Sequence, residues 1–231
     1  MEKPTVIFFD AVGTLFGVRG SVGEVYRSLA LEFGVKVDTI TLERAFSDSF
    51  QAASPPVFPG VEPEKIPQQE FAWWKAIATS TFTKVGKLEQ FSDFGLFFDR
   101  LYAHFATQKP WFVYPDVVPT LQNWQQQGVK LGIISNFDTR LYPVLKQLDL
   151  EQFFTSITIS SLVGAAKPEQ EIFLAALAKH GCPPQQAWHI GDSLTQDYQG
   201  AKQVGIKSFW LNRFQPVGIA ENQLPNLSSL G

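Results

Sequence analysis

The sequence predicts a three-layer α/β fold around a central parallel sheet, with a helical domain inserted near its start. Three observations carry this expectation. Continuous apolar, β-rich runs recur along the chain, as parallel strands covered on both faces require. Segments with helical periodicity separate the later runs, the alternation that βαβ units produce. Residues 17–113 break that alternation with a long stretch that is helical in pattern and rich in aromatic side chains.

Residues 5–9 (TVIFF) form the first strand, and it ends at Asp10. The next buried run is 129–135 (VKLGIIS), followed by 156–160 (SITIS), 187–191 (AWHIG) and 207–211 (KSFWL). Helices are expected at 117–127, ending at Gly128, and at 140–147. A third, 168–180, has Pro168 in its first turn and Gly181 just past its end, with Ile172, Phe173, Ala176, Leu177 and His180 on one face. A fourth spans 195–204 before Gly205. The insert reads as helices at 22–33, 38–53, 68–83 and 88–107, with no buried strand. The Pro-rich stretch 54–67 is a loop between two of them. Eleven of the 21 Phe residues lie between Phe46 and Phe112, so the insert needs a core of its own. The division is therefore 1–16 and 114–231 for a Rossmann-like α/β core, and 17–113 for the helical insert. The weakly patterned tail, 215–231, is expected to lie over the surface or fray.

Composition narrows the function. Hydrophobic residues make up 45% and charged residues 18%, which excludes a disordered chain. The net charge is −3 and no Lys/Arg run exists to neutralise a phosphate backbone, so nucleic acid is excluded as a partner. Cys182 is the one cysteine and suits a reducing compartment. No secretory pattern opens the chain, and no run approaches the ~20 apolar residues of a membrane span. The expectation is a cytoplasmic protein, monomer or homodimer, acting on a small molecule and not on a membrane.

Chemistry gathers where strands end. Asp10 sits at the carboxyl end of a buried parallel strand, the edge at which open α/β sheets bind ligands. Gly13-Thr14-Leu15 follows, then Gly17, Gly20 and Gly23, which permit a tight turn and close backbone approach. A second strand ends in Ser135-Asn136, and a third in Gly191-Asp192 with Asp197 five residues on. Lys167 immediately precedes Pro168. Each has an ordinary reading: a turn-capping Asp, a Ser-Asn turn, a solvated Lys. Together they place a nucleophile-type carboxylate, a hydroxyl and amide pair, an ammonium and further carboxylates at one sheet edge.

The segments FFDAVGTLF, IISN, AAKPEQEIF and HIGDSLTQD, in that order, resemble the four motifs of the haloacid dehalogenase-like hydrolase superfamily, and the insert resembles its helical cap of the first type. The resemblance implies Mg²⁺-dependent hydrolysis of a small phosphorylated metabolite through an aspartyl-phosphate on Asp10. It implies that Ser135 hydrogen-bonds the transferring group, that Lys167 neutralises charge, and that Gly13, Thr14 and Asn136 also border the substrate. Asp10, Asp192 and the backbone carbonyl of Val12 would ligate Mg²⁺. Asp197 would support the metal, through water, or orient Lys167. The cap would open and close on linkers near 16–20 and 111–115. Physical chemistry agrees: a carboxylate attacking a phosphate joins two anions, and a cation must cancel their repulsion. Mg²⁺ takes oxygen ligands and keeps several waters, so two carboxylates and a carbonyl suffice.

One position departs from the pattern. The family's phosphatases carry a second Asp two residues after the nucleophile, as proton donor to the leaving group. Here that residue is Val12. Losing a general acid–base typically costs about 10²–10⁴-fold. Four accounts stay open. Another group moves the proton, or the leaving group needs none. The protein is a 2-haloacid dehalogenase, whose halide leaves unprotonated; such enzymes need no metal and use a cap arginine, for which Arg27 and Arg44 are the candidates. It is a phosphonate hydrolase with a Schiff-base lysine in the cap, for which Lys36, Lys65 and Lys75 are available. Or it is a catalytically weak binding or regulatory protein that keeps the fold. His104, in the aromatic cap, is a candidate proton donor if it reaches the cleft. His189 and Cys182 read as core. Trp73 and Trp74 are adjacent and cannot both face one core, so one of them is expected at the cleft or at a dimer contact.

Overall fold

A computed structural model of the chain describes residues 3–214, 218 and 220–230. Strand β1 (Val6–Phe9) is fully buried and lies at the middle of a six-stranded parallel sheet. β4 (Lys130–Ser135) pairs on one side of it and β6 (Ala187–Gly191) on the other. β5 (Ser156–Ile159) extends the sheet beyond β4. β7 (Lys207–Leu211) and β8 (Gln223–Leu224) extend it beyond β6. The chain thus winds outward from β1 in both directions, and the point where it reverses is where such sheets bind ligands. Register makes this concrete. Phe9 lies opposite both Ile133 and Ile190, so Asp10, Ser135 and Asp192 leave three adjacent strands at nearly one level.

Side-chain alternation along β1 builds the three layers. Ile7 and Phe9 pack into one cluster with α5 (Val117–Gln126) and α6 (Leu141–Gln147). Val6 and Phe8 pack into another with α8 (Gln170–Ala178) and α9 (Gly200–Gln203), which follow the short α7 (Ser160–Val163). Among the described residues no helix is long and apolar enough to cross a membrane.

The insert contains α1 (Val22–Glu32), α2 (Thr39–Ala52), α3 (Ile66–Lys84) and α4 (Phe94–His104). Ser21, Asp38 and Asp93 cap three of them by accepting the N–H groups of Glu24, Thr41 and Leu96. A third cluster holds these helices together, with Phe82 meeting Phe91 and Phe97 edge to face and stacking on Tyr26.

Several local expectations need correction. The helix expected over 88–107 starts only at Phe94, because Asp93 caps Leu96 N–H at 2.8 Å; residues Leu88–Gln90 form a separate single turn. The insert is not free of strands. β2 (Phe16–Val18) and β3 (Trp111–Val113) form an antiparallel ribbon where the insert leaves and rejoins the core, since two linkers starting and ending at one place run side by side. The helix expected over 168–180 begins at Gln170. Pro168 precedes it, joined to Lys167 by a cis peptide, and His180 lies past its end with Nε2 2.7 Å from Ser156 Oγ. The helix expected over 195–204 opens as a wide π-type turn, Leu194–Gln199, before α9. The tail does not merely drape: β8 completes the sheet, and Leu224, Leu227 and Leu230 enter the core. Residues 215–217, 219 and 231 of that tail lie outside the described residues.

Candidate active site

The tips of β1, β4 and β6 and the loops beside them bring six of the expected side chains together: Asp10, Ser135, Asn136, Lys167, Asp192 and Asp197. Asp10 is 7% exposed, and its Oδ1 accepts from Lys167 Nζ at 2.6 Å. The same ammonium donates to Asp197 Oδ1 at 2.6 Å. Asp197 is fully engaged: Oδ1 lies 2.9 Å from His189 Nε2, and Oδ2 accepts from Ser193 N–H at 3.0 Å. The wide turn at Leu194–Gln199 delivers this carboxylate against Gly191, where an added Cβ would fall 2.1 Å from Asp197 Cγ. Asn136 clamps Lys167 from both sides, its Oδ1 accepting from the lysine N–H at 2.8 Å and its Nδ2 donating to the lysine carbonyl at 3.0 Å. Ser135 is buried and its Oγ accepts from Phe137 N–H at 3.2 Å.

Asp192 stands at the mouth, the most exposed of the three carboxylates. Gly13, at φ +90°, backs it so closely that a Cβ there would sit 2.3 Å from Asp192 Oδ2. Gly13 and Thr14 themselves do not line the cavity, contrary to their expected place beside the substrate. Thr14 is completely buried because the loop turns it inward, and its carbonyl accepts from Arg213. Arg213 also grips Asp116 through both carboxylate oxygens and stacks over Tyr114 at 3.9 Å. It fastens the loop after Asp10 to the core, a role nothing in the local sequence announces.

The charges are strongly coupled. Burial works to discharge Lys167, but Asp10 and Asp197 outweigh it and hold its ammonium well above the ordinary lysine range. Burial would also raise Asp197, yet Lys167 and the His189 hydrogen bond hold its carboxyl well below the usual range. Asp10 is raised, mainly by burial, with Lys167 opposing. Asp192 is pushed up to about 7 by desolvation and by the negative charges of Asp10 and Asp197. One oxygen from each of these three carboxylates lies within 4.8 Å of the others. Such an all-oxygen set, with more negative charge than Lys167 balances, has the chemistry of a Mg²⁺ site. Because Asp197 is committed to Lys167, His189 and Ser193, Asp10 and Asp192 are the better placed of the three to hold a cation.

Above this floor lies a cavity of about 300 Å³, roofed by the insert. Tyr26, Phe50, Trp74, Phe98 and Tyr102 line it from the helices, and Val12 and Phe137 from the core. Arg27, Arg44, Lys36, Lys65 and Lys75 are exposed and do not line it, nor does His104. Of the adjacent tryptophans, Trp74 faces the cleft, whereas Trp73 donates to Ser54 O at 2.8 Å.

A polar clasp joins roof to floor, and the sequence reading missed it. Glu70, fully buried on α3, accepts from Thr139 N–H at 3.0 Å, from the Thr139 hydroxyl, and from Ser161 Oγ at 2.6 Å. One turn on, Trp74 Nε1 donates to Asp138 Oδ2 at 2.6 Å. Asp138 pairs with Arg140, whose guanidinium also donates to the Tyr102 carbonyl and stacks 3.8 Å from the Tyr102 ring. The only available signal was the polar triplet Asp138-Thr139-Arg140 just beyond Ser135-Asn136.

A family model described as a haloacid dehalogenase-like hydrolase matches residues 4–205. The haloacid dehalogenase-like hydrolase domain-containing protein 3 of Mus musculus is 35% identical over 234 residues, covering 97% of this chain and 91% of its own. A glyceraldehyde 3-phosphate phosphatase from Methanopyrus kandleri is 36% identical over 110 residues, covering 47% of this chain and 46% of its own. The crystal structure of a HAD phosphatase from Thermococcus onnurineus superimposes with a TM-score of 0.64 at 26% identity, covering 99% of this chain and 96% of that one.

Proposed function

The chain belongs to the haloacid dehalogenase-like hydrolase family, and from that premise we propose that it is a Mg²⁺-dependent, phosphatase-type hydrolase of a small phosphorylated metabolite. The observation that carries this reading is Lys167 Nζ held 2.6 Å from both Asp10 and Asp197, with Asp192 completing a three-carboxylate set. Asp10 attacks phosphorus and becomes the aspartyl-phosphate. Lys167 sits against the attacking carboxylate and offsets charge on the arriving phosphoryl group. Ser135 donates its hydroxyl hydrogen to a phosphoryl oxygen. Asp197 and Asn136 fix Lys167 in place, the first by its side chain and the second by its backbone. Mg²⁺ held by Asp10, Asp192 and the Val12 carbonyl would supply the positive charge that lets two anions meet. Residues 17–113 act as the cap, excluding water over the floor.

The other readings find less support. A haloacid brings its own carboxylate toward three carboxylates, and Arg27 and Arg44, the candidates to receive it, face solvent. Lys36, Lys65 and Lys75 are likewise exposed and do not line the cavity, which speaks against the Schiff-base chemistry of a phosphonate hydrolase. The test is phosphate release with Mg²⁺ from acetyl phosphate, a small donor that enters any cavity of this size, comparing the native chain with Asp10→Asn. A loss of at least about 10³-fold is expected. Equal rates would remove Asp10 as nucleophile.

A further inference from the structure

Two independent features of the cleft converge on a leaving group. The first is the residue beside the nucleophile. Val12 lines the cavity and has no proton to give, which favours a departing oxygen that is stable as an anion. A phenol-type oxygen, with a pKa of roughly 10 as in tyrosine, meets that condition far better than an alkanol near the roughly 16 of water. The second is the wall where the leaving group must lie. Tyr26, Phe50, Trp74, Phe98, Tyr102 and Phe137 present ring edges and faces, and Phe50 stacks on Trp74 at 5.8 Å. Arg140, the one cation on that wall among the described residues, is balanced by Asp138 at 2.9 and 2.5 Å and covered by Tyr102. A hydroxyl-rich sugar would lose water there and regain few hydrogen bonds. A flat apolar ring would stack.

Resting on the phosphatase reading, we propose that the substrate is a phosphate monoester of a flat, apolar, phenol-type alcohol, with the aromatic wall as its specificity surface. In the step itself an Asp10 carboxylate oxygen forms a bond to phosphorus as the phosphorus–aryl oxygen bond breaks. The bonding pair leaves with the aryloxide. Water then cleaves the aspartyl-phosphate, restoring the Asp10 carboxylate and releasing inorganic phosphate and a proton, which the aryloxide takes up. The cavity of about 300 Å³ stands at the lower end of ligand pockets, a size that suits one small ring system plus the phosphoryl group.

The experiment compares kcat/KM of the Mg²⁺-loaded full chain for phenyl phosphate, ring-substituted phenyl phosphates, glycerol 3-phosphate and acetyl phosphate. Phenyl phosphate is expected to exceed glycerol 3-phosphate by about 10²-fold or more, and rates across the phenyl series to fall steeply as the leaving-group pKa rises. A second readout needs no turnover. Titration by tryptophan fluorescence is expected to show phenylphosphonate binding at least about tenfold tighter than methylphosphonate, with that ratio reduced in Trp74→Ala and in the more exposed Phe50→Ala. Equal kcat/KM for phenyl and glycerol phosphates, or equal affinity for the two phosphonates, overturns the substrate class while Asp10-dependent acetyl phosphate hydrolysis preserves the phosphatase reading. Absence of Asp10-dependent release from acetyl phosphate removes both.

Discussion

Floor and roof of the cleft are built by opposite means. On the floor the buried charges are paired, Lys167 lying between Asp10 and Asp197, while Asp192 stands at the mouth. The roof is a set of rings on four helices, packed by shape and joined to the floor chiefly through Glu70 and Trp74. Strand register and paired charges therefore fix the chemistry, whereas the choice of substrate rests mainly on ring faces, few of which are held by a hydrogen bond to the floor. Reaction and selectivity should separate under mutation along this line.

The largest effect should come from the floor. Lys167→Met leaves two carboxylates buried without their cation, so activity should fall by at least about 10³-fold. Thermal unfolding should also reveal a loss of about 3–5 kcal/mol; native stability and turnover in this variant would mean that the ammonium does not organise the site. Val12→Asp comes next. It adds a proton carrier at the floor without touching the roof, so glycerol 3-phosphate turnover should rise by about 10–100-fold and the aryl preference should narrow. No gain would mean that another group already moves the proton.

At the clasp, Glu70→Ala removes three hydrogen bonds and leaves the Thr139 N–H unpaired, for a cost of about 1–3 kcal/mol. Hydrogen exchange should accelerate around residues 138–140 and along α3, while the six-stranded sheet stays protected. Acceleration throughout the sheet would show that roof and floor are one cooperative unit.

The smallest effect is a pH dependence. In the metal-free protein Asp192 titrates at about 7, against an ordinary value of 3.8. The folded form therefore holds a proton that the unfolded form has lost between about pH 4 and 7, and this group's contribution to stability declines as pH rises through that window, then levels off. Mg²⁺ must displace that proton, so its stabilising shift in Tm should be larger at pH 8 than at pH 5.5 and should vanish in Asp192→Asn. A Mg²⁺ shift independent of pH would place the cation away from Asp192.

The same division decides what could be read from the sequence. The strands were legible because parallel strands are apolar throughout, and the residue ending each run falls at the sheet edge by necessity. Asp10, Ser135 and Asp192 follow from that alone, whereas Lys167, which by itself reads as solvated, came with the resemblance of AAKPEQEIF to a family motif. Contacts between distant segments were not legible. Glu70 meets residues 69 and 91 positions away, and a glutamate on an amphipathic helix ordinarily faces water. Asp138 and Arg140 likewise carry no local mark of their contacts with Trp74 and Tyr102. The resemblance places Thr14 beside the substrate, yet the turn buries its side chain. The late start of α4 was readable in principle: Asp93 before a run of apolar residues is a capping signal, and the aromatic periodicity on either side of it masked the break.

The account depends on covalent attack by Asp10, and rapid acid quench of the Mg²⁺-loaded protein during turnover of acetyl phosphate tests it most directly. Peptide mass analysis should find the phosphoryl group on the segment containing Asp10 in the native chain and no label in Asp10→Asn. Undiminished phosphate release with no labelled Asp10 peptide would contradict it.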